Sequence, residues 1–474
     1  RACRRSPSKS WQASFDDCGI NSLEAAAMKV LVIGGGGREH AILRALGRSP
    51  QAPGLLCAPG NAGISGDARC LDASAEDLDA LVGAAREEGV DLVVVGPEAP
   101  LVAGLVDALE DAGIAACGPR AEPARIEGSK LHAKELMAEA GVPTASHTVV
   151  RSREEALGQI ACASYPAVLK ADGLAAGKGV IICESEAEAR EATDVFFTER
   201  RFGETPVVIE EFLEGEELSL LALCDGEHVL PLAPAQDYKR IYDGDRGPNT
   251  GGMGSYSPVP GFDHAETERI ADAVHRPIVE AMRRRGTPYH GVLYAGLMLT
   301  DAGPKVLEFN CRFGDPETQA VLPRLRSDLL ELCLASREPG GLAGMSAEFA
   351  DDWAVTVVIA SAGYPASSSK GNVISGLEEA ARMEAVEVSH AGTGRSDGAV
   401  VTAGGRVLNV TGLGPTAADA RRRAYDAAEL VSFEGRQMRT DIAARAVEMQ
   451  GRASAMMRGR SEAAQPEERP VRSS

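Results

Sequence analysis

Residues Lys29–Leu46 read KVLVIGGGGREHAILRAL. An apolar run enters four glycines, and a helical, partly basic segment leaves them. That is the outline of a strand, a tight turn and a helix N-terminus whose backbone N–H groups can cradle a phosphate. The alternation continues outward from this stretch. GLLCAPG reads as a second strand, AEDLDALVGAAREEG as a helix, DLVVVGPEAP as a third strand and LVAGLVDALEDAG as one further helix. Continuous apolar strands joined by helices predict a parallel, Rossmann-like α/β sheet over residues 28–128.

The glycine loop does not complete a dinucleotide fingerprint. Gly34 and Gly36 fit G-x-G-x-x-G, but the third position is Glu39. The second strand ends in Ala58-Pro59-Gly60-Asn61, where an acidic ribose ligand is required. Two readings stay open: a nest of N–H groups for a single phosphate, or a strand–helix turn with no ligand.

At 474 residues the chain has room for two to four domains of about 100–200 residues. No apolar run approaches the roughly 18 residues that span a bilayer, so a soluble protein with no membrane partner is expected. A formal charge of −20 argues against a nucleic-acid surface, while a few local lysines would still hold phosphorylated small molecules. The ten cysteines include no C-x-x-C pair, which disfavours zinc knuckles and a disulfide framework and points to a reducing compartment. Residues 1–27 lack periodicity and read as a translation remnant or as the end of a transit peptide; Asp16, Asp17 and Glu24 count against the latter. The expected compartment is therefore the cytoplasm, with a plastid or other organelle as the alternative. Residues 451–474 are polar and expected to be disordered.

The middle of the chain carries nucleotide-like chemistry. Lys130 follows a glycine-serine pair, Lys170 ends an apolar strand, and Lys178 lies in AGKGV, where glycines let N–H groups close over anions. Glu210-Glu211-Phe212-Leu213 is a strand end whose backbone could meet a purine edge. GVLYAGLMLTDAGPKVLEFN reads as a hairpin turning at Asp301-Ala302-Gly303. Near its end Glu308 and Asn310 alternate onto one face, with Arg312 two residues beyond. Two oxygen donors at i, i+2 suit a hard cation such as Mg²⁺. A region from about Asp351 to Val447 begins a new strand-rich unit that ends in a helix.

The order of lysine, lysine, glycine-loop lysine, E-E-F-L and E-x-N-x-R resembles the ATP-grasp superfamily. GGGGREHA, APGNAG, GPEAPLV, EGSK, LKADGLAAGKGV, IEEFLEGEE, QDYKR, GPNTGGMGSYSP, YAGLM, LEFNCRFGDPETQ, HAGT and GGRVLNVTGLG, in that order, resemble the glycinamide ribonucleotide synthetase family over roughly residues 28–447. The resemblance implies ATP-dependent ligation of glycine to 5-phosphoribosylamine through glycyl phosphate, an early step of purine synthesis. It implies a Rossmann-like domain (28–128), an ATP-grasp domain (129–342) with a mobile lid at about 148–216, and a C-terminal strand-rich α/β domain (343–450).

By the same resemblance, Lys130, Lys170 and Lys178 neutralise ATP phosphates, Glu210, Glu211, Phe212 and Leu213 face adenine, and Glu217 holds the ribose. Glu308 and Asn310 hold Mg²⁺ or Mn²⁺, and Arg312, with Lys178 and Asp237, serves the reacting groups. Gly34, Gly36, Gly37, Arg38, Asn61, Glu98, Asn249, Gly251, Gly252 and Arg312 shape the ribosylamine side, with Asp243–Gly254 as a cover. Where many superfamily members carry an acidic first metal ligand, this chain has Leu299. The expected partners are small molecules, and the expected state is a monomer or weak dimer. The rival readings are another ATP-grasp purine ligase, carboxylating or formylating a ribonucleotide, and a non-catalytic nucleotide-binding protein.

Overall fold

A computed structural model describes residues 27–174 and 179–452. Lys178, Gly177 and the two terminal segments lie outside the described residues.

The opening stretch folds as read: β1 (Lys29–Gly34) runs into the glycines, and a helix spans Gly37–Gly47. With β2 (Gly54–Pro59), β3 (Arg69–Cys70), β4 (Leu92–Val95) and β5 (Ala115–Cys117) it forms a parallel sheet in the order β3-β2-β1-β4-β5. The short β3 and β5 were not expected, since two or three residues carry no periodicity. The strand order reverses between β1 and β4, and the crevice beyond their carboxyl ends is where such sheets bind ligands. Gly35–Arg38 and Gly96–Glu98 lie there. LVAGLVDALEDAG is two helices, Glu98–Val102 and Leu105–Asp111, broken at Gly104 with φ +93°. A backbone in that left-handed region cannot continue a right-handed helix.

A second unit is antiparallel: β6 (His147–Val150), β7 (Ala167–Ala171), β8 (Val180–Cys183) and β9 (Val207–Glu211), ordered β6-β9-β7-β8. Helices Arg153–Ile160 and Glu186–Phe197 cover it, capped by Ser152 and Ser185. It has its own core around Leu169, Phe196 and Ile209. The chain continues through β10 (Glu216–Asp225), β11 (Val229–Pro231), β12 (Gln236–Asp237), β13 (Arg240–Tyr242), β14 (Arg246–Asn249), β15 (Gly254–Ser257), β16 (His290–Thr300) and β17 (Gly303–Asn310). The predicted hairpin is β16–β17, in a sheet ordered β11-β10-β16-β17.

Asp243–Gly254, expected as a loop covering substrate, is partly strand and is strapped down. The β13–β14 hairpin is held by the buried Arg439, which reaches Asp245 at 2.7 Å. Thr440 N–H donates to Asp243 at 2.8 Å, and Gly244 N–H donates to Asp441 at 2.9 Å.

Strands β18 (Trp353–Ala360), β19 (Val386–His390), β20 (Thr393–Ser396), β21 (Ala399–Thr402) and β22 (Arg406–Gly414) follow, with helix Ala417–Leu430. Their main sheet is ordered β12-β15-β18-β22-β19, so it is completed by two strands from the middle of the chain. Among the described residues no helix is long and apolar enough to cross a membrane.

Candidate active site

One cavity of about 310 Å³ opens where the three parts of the chain meet. Of the expected site residues, Arg38, Glu98, Lys130, Lys170, Glu210, Asp237, Gly251, Glu308, Asn310 and Arg312 line it. Gly34, Gly36, Gly37, Asn61, Glu211, Phe212, Leu213, Glu217, Asn249 and Gly252 are not in the lining.

The nucleotide-like side is built by a helix and the antiparallel unit. Ser129 caps helix Lys130–Ala140, accepting from His132 N–H, and so starts Lys130 at the cavity edge. Lys130 Nζ donates to the Gly173 carbonyl at 2.9 Å, and Lys170 Nζ to the Leu307 carbonyl at 3.2 Å. Burial depresses the Lys130 ammonium below its ordinary pKa, although nearby Glu308 opposes the shift. Glu211 is turned outward, its carboxylate accepting from Ser146 N–H and Lys305 Nζ, both at 2.9 Å. Its side chain is a structural tie, and its backbone N–H donates to the Ser146 carbonyl at 3.0 Å.

The hairpin supplies the oxygen donors. Glu308 opens into the cavity; desolvation raises its carboxyl, but Lys239, Lys170, Arg312 and Lys130 outweigh this and hold it below the usual range. Asn310 Oδ1 accepts from Arg312 at 2.8 Å. Arg312 is further held by Glu98 at 3.3 Å and Glu127 at 3.2 Å, and Glu127 also accepts from Cys311 N–H at 2.7 Å. Burial pushes the Glu127 carboxyl up, Arg312 countering it in part. Glu308 and Asn310 fit a magnesium ion as two hard donors. No group of three or more His, Cys, Asp or Glu converges for a metal among the described residues, so phosphate oxygens and water would supply the remaining ligands.

A third wall is acidic. The side chain of Asp237, on β12, is buried, and its Oδ1 has no hydrogen-bond partner. Burial pushes its carboxyl up to about 8, despite Lys239 at 4.0 Å. Lys239 pairs more closely with Glu217, at 2.6 Å, so Glu217 reaches the cavity only through that lysine. Glu317 stands near, accepting from Ser219 Oγ at 3.0 Å.

The glycine loop differs most from expectation. One of its N–H groups is taken by the protein: Glu39 accepts from Gly36 N–H at 2.6 Å and also from Arg38 Nε at 2.5 Å. A Cβ on Gly34 would lie 2.6 Å from Glu39 Cγ, and one on Gly37 would collide with the Asn409 amide. The glycines are needed so that a carboxylate and an amide can approach the backbone, and Gly36 N–H is not free for a phosphate. Asn61 is likewise spent within the fold, donating to the Gly35 and His390 carbonyls and accepting from Gly63 and Ile64 N–H. Gly252 (φ +104°) packs on Pro316, and Asn249 pairs with Arg240 across the hairpin. What reaches the cavity from the first unit is Arg38, Glu98, Ile126 and Glu127.

Sequence reasoning passed over Lys134, Lys239, Glu127, Asp315 and Arg406, all in the lining. Lys134 is one helical turn beyond Lys130 and Lys239 alternates with Asp237, so both had a periodic signal. Arg406, which donates to the Gly251 carbonyl and pairs with Asp315 at 2.8 Å, comes from β22 and had none.

Residues 28–127 match the N domain of phosphoribosylglycinamide synthetase, residues 128–318 its ATP-grasp (A) domain and residues 354–445 its C domain. The chain is 51% identical over 422 residues to phosphoribosylamine–glycine ligase of Streptomyces coelicolor, covering 88% of this chain and 99% of the relative. It is 48% identical over 419 residues to the ligase of that name from Caldanaerobacter subterraneus, covering 88% of this chain and all of the relative. The crystal structure of phosphoribosylamine–glycine ligase from Thermotoga maritima superposes with a TM-score of 0.76 at 37% identity, over 88% of this chain and 100% of that one. A Campylobacter jejuni biotin carboxylase superposes with a TM-score of 0.66 at 15% identity, covering 87% and 93%, which shows the shared fold alone.

Proposed function

The chain belongs to the phosphoribosylglycinamide synthetase family, and from that premise we propose that its cavity joins glycine to 5-phosphoribosylamine with conversion of ATP to ADP and phosphate. It is a ligase that forms a C–N bond, and the product serves purine synthesis. The observation that carries the reading is the convergence on one cavity of Lys130 and Lys170, the Glu308–Asn310–Arg312 row, the acidic wall at Asp237, and Arg38 with Glu98.

A carboxylate is a poor electrophile, so the glycine carboxylate first takes the γ-phosphoryl group, giving glycyl phosphate. The amine of phosphoribosylamine then attacks the acyl carbon and phosphate leaves. Both steps need alignment and charge neutralisation more than a covalent nucleophile from the protein. Lys130 and Lys170 leave their carbonyl partners for the ATP phosphates. Arg312, held on three sides, presents its guanidinium to the transferred phosphoryl group. Glu308 and Asn310 would hold Mg²⁺ or Mn²⁺, which supplies charge neutralisation at the phosphates. Asp237, with an unpartnered oxygen in an acidic wall, takes the glycine ammonium and fixes the carboxylate end toward ATP. Arg38, Glu98, Asp315 and Arg406 bound the ribosylamine side. Lys178 keeps its phosphate role on sequence grounds alone.

ADP release is the test. It should require glycine, and sustained turnover should require phosphoribosylamine as well. ADP release driven instead by bicarbonate or formate with another ribonucleotide would support the rival ligases, and none under any condition would support a binding protein.

A further inference from the structure

Glu210 sits between two lysines. Lys170 Nζ is 2.8 Å from Oε2, and Lys134 Nζ is 2.9 Å from Oε1. Lys134 and Glu210 are buried at 3% and 4% exposure, and Lys170 at 9%. Lys134 is further fixed by Thr144 Oγ1 at 2.8 Å, whose hydroxyl donates to the Val306 carbonyl at 2.6 Å. The cluster therefore ties helix Lys130–Ala140 to β9 and to β17, which carries Glu308 and Asn310. One glutamate does not need two lysines for neutrality, so the second requires an explanation.

We infer that Lys134 is a positioning residue for ATP, supplying the counter-charge that Glu210 keeps when Lys170 turns toward the phosphates. This rests on the ATP-binding reading above. With Glu210 and Lys170 alone, moving Lys170 onto a phosphate would strand a buried carboxylate without a partner, and the pair would stay closed. With Lys134 fixed by Thr144, Glu210 remains paired in both positions of Lys170. Lys134 and Lys170 take different oxygens of the carboxylate, so Lys170 can leave Oε2 while Lys134 stays at Oε1. Burial depresses the Lys134 ammonium below its ordinary pKa, and Glu210 opposes that shift.

The test is the affinity for MgATP by equilibrium binding without glycine or ribosylamine, in the whole chain. Lys134→Met should weaken ATP binding about 10- to 100-fold, because Lys170 is then held back by a buried carboxylate that has no other partner. Adding Glu210→Gln releases Lys170, so the double variant should bind ATP about tenfold tighter than Lys134→Met alone, an interaction that independent sites do not show. A merely structural Lys134 would lower thermal stability and leave affinity within about twofold of wild type, which overturns the inference. So does a double variant no tighter than the single one. Should Lys134→Met fail to fold, Lys134→Gln, which can still meet Thr144 Oγ1, takes its place: a loss of MgATP affinity of about 10- to 100-fold supports the inference, and affinity within about twofold of wild type overturns it. Failure of the wild-type chain to bind MgATP would sink the ATP reading itself.

Discussion

Replacing Asp237 by Asn tests the acidic wall with little change of shape. In the structure the Asp237 carboxylate has one oxygen without a partner and a lysine at 4.0 Å. Lys239 keeps Glu217 at 2.6 Å, so the substitution leaves no orphaned cation. What is lost is a charge-assisted hydrogen bond to the glycine ammonium, worth about 1.5–3 kcal/mol. At about 1.4 kcal/mol per decade, this predicts roughly a 10- to 150-fold rise in the KM for glycine. ATP affinity, carried by Lys130, Lys170 and the backbone beyond β9 in this reading, should change less than about threefold. The assay is ADP formation at saturating ATP and phosphoribosylamine across a glycine titration, with MgATP binding measured separately. A pH series adds a second readout. Because burial raises the Asp237 carboxyl to about 8, it is neutral in the empty site below that pH, so kcat/KM for glycine should climb toward pH 8 in the wild type. The Asn variant should lack that limb. From the ordinary carboxyl range up to about 8 the folded wild type holds a proton that the unfolded chain has released, so its stability falls relative to Asp237→Asn as pH rises. An unchanged glycine KM, or equal losses for glycine and ATP, would refute the assignment.

Glu308→Gln should raise the magnesium concentration needed for half-maximal turnover at least about tenfold while leaving the melting temperature nearly unchanged, because a hard anionic donor is lost from the cavity wall; a magnesium titration of activity checks this. Glu127→Gln should lower kcat by about 10- to 100-fold with substrate KM values little moved, since Glu127 holds Arg312 at 3.2 Å; a fall in ATP affinity without a fall in kcat would contradict it. Glu39→Ala leaves the buried Arg38 without its 2.5 Å partner and Gly36 N–H without an acceptor, at a cost of about 3–5 kcal/mol. Denaturant unfolding should show that loss. Were the nest instead a phosphate site blocked by Glu39, the same variant would improve ribosylamine affinity.

Periodicity and glycine placement made the parallel sheet, the β16–β17 hairpin and several of the cavity-lining residues legible. Lys130, Lys170, Glu308, Asn310 and Arg312 could be found because each lies at a strand or helix end, where a polar residue in an apolar context carries information. Glu39 was read as a missing glycine in a fingerprint, although its position three residues beyond Gly36 is that of a residue reaching back to cap a helix. The partners of Arg312 were hidden because Glu98 and Glu127 arrive from more than 180 residues away. Arg406 and the Arg439 strap were illegible for the same reason, since only the folded sheet brings the last hundred residues beside the loop they hold.

That sheet has a consequence for how the protein is made. Strand β15 pairs on one side with β12, its near neighbour in sequence, and on the other with β18, about a hundred residues later. At ribosomal rates of about 5–20 residues per second, the Gly254–Ser257 edge waits roughly 5–20 seconds for its partner. During that interval the nascent chain presents an unpaired backbone edge beside apolar surface, which is a template for intermolecular pairing. Fragments ending before Trp353 should therefore aggregate on expression, and a fragment beginning there should lack the two strands that close its sheet. Co-expression of the two pieces is the arrangement that should recover both as a complemented pair.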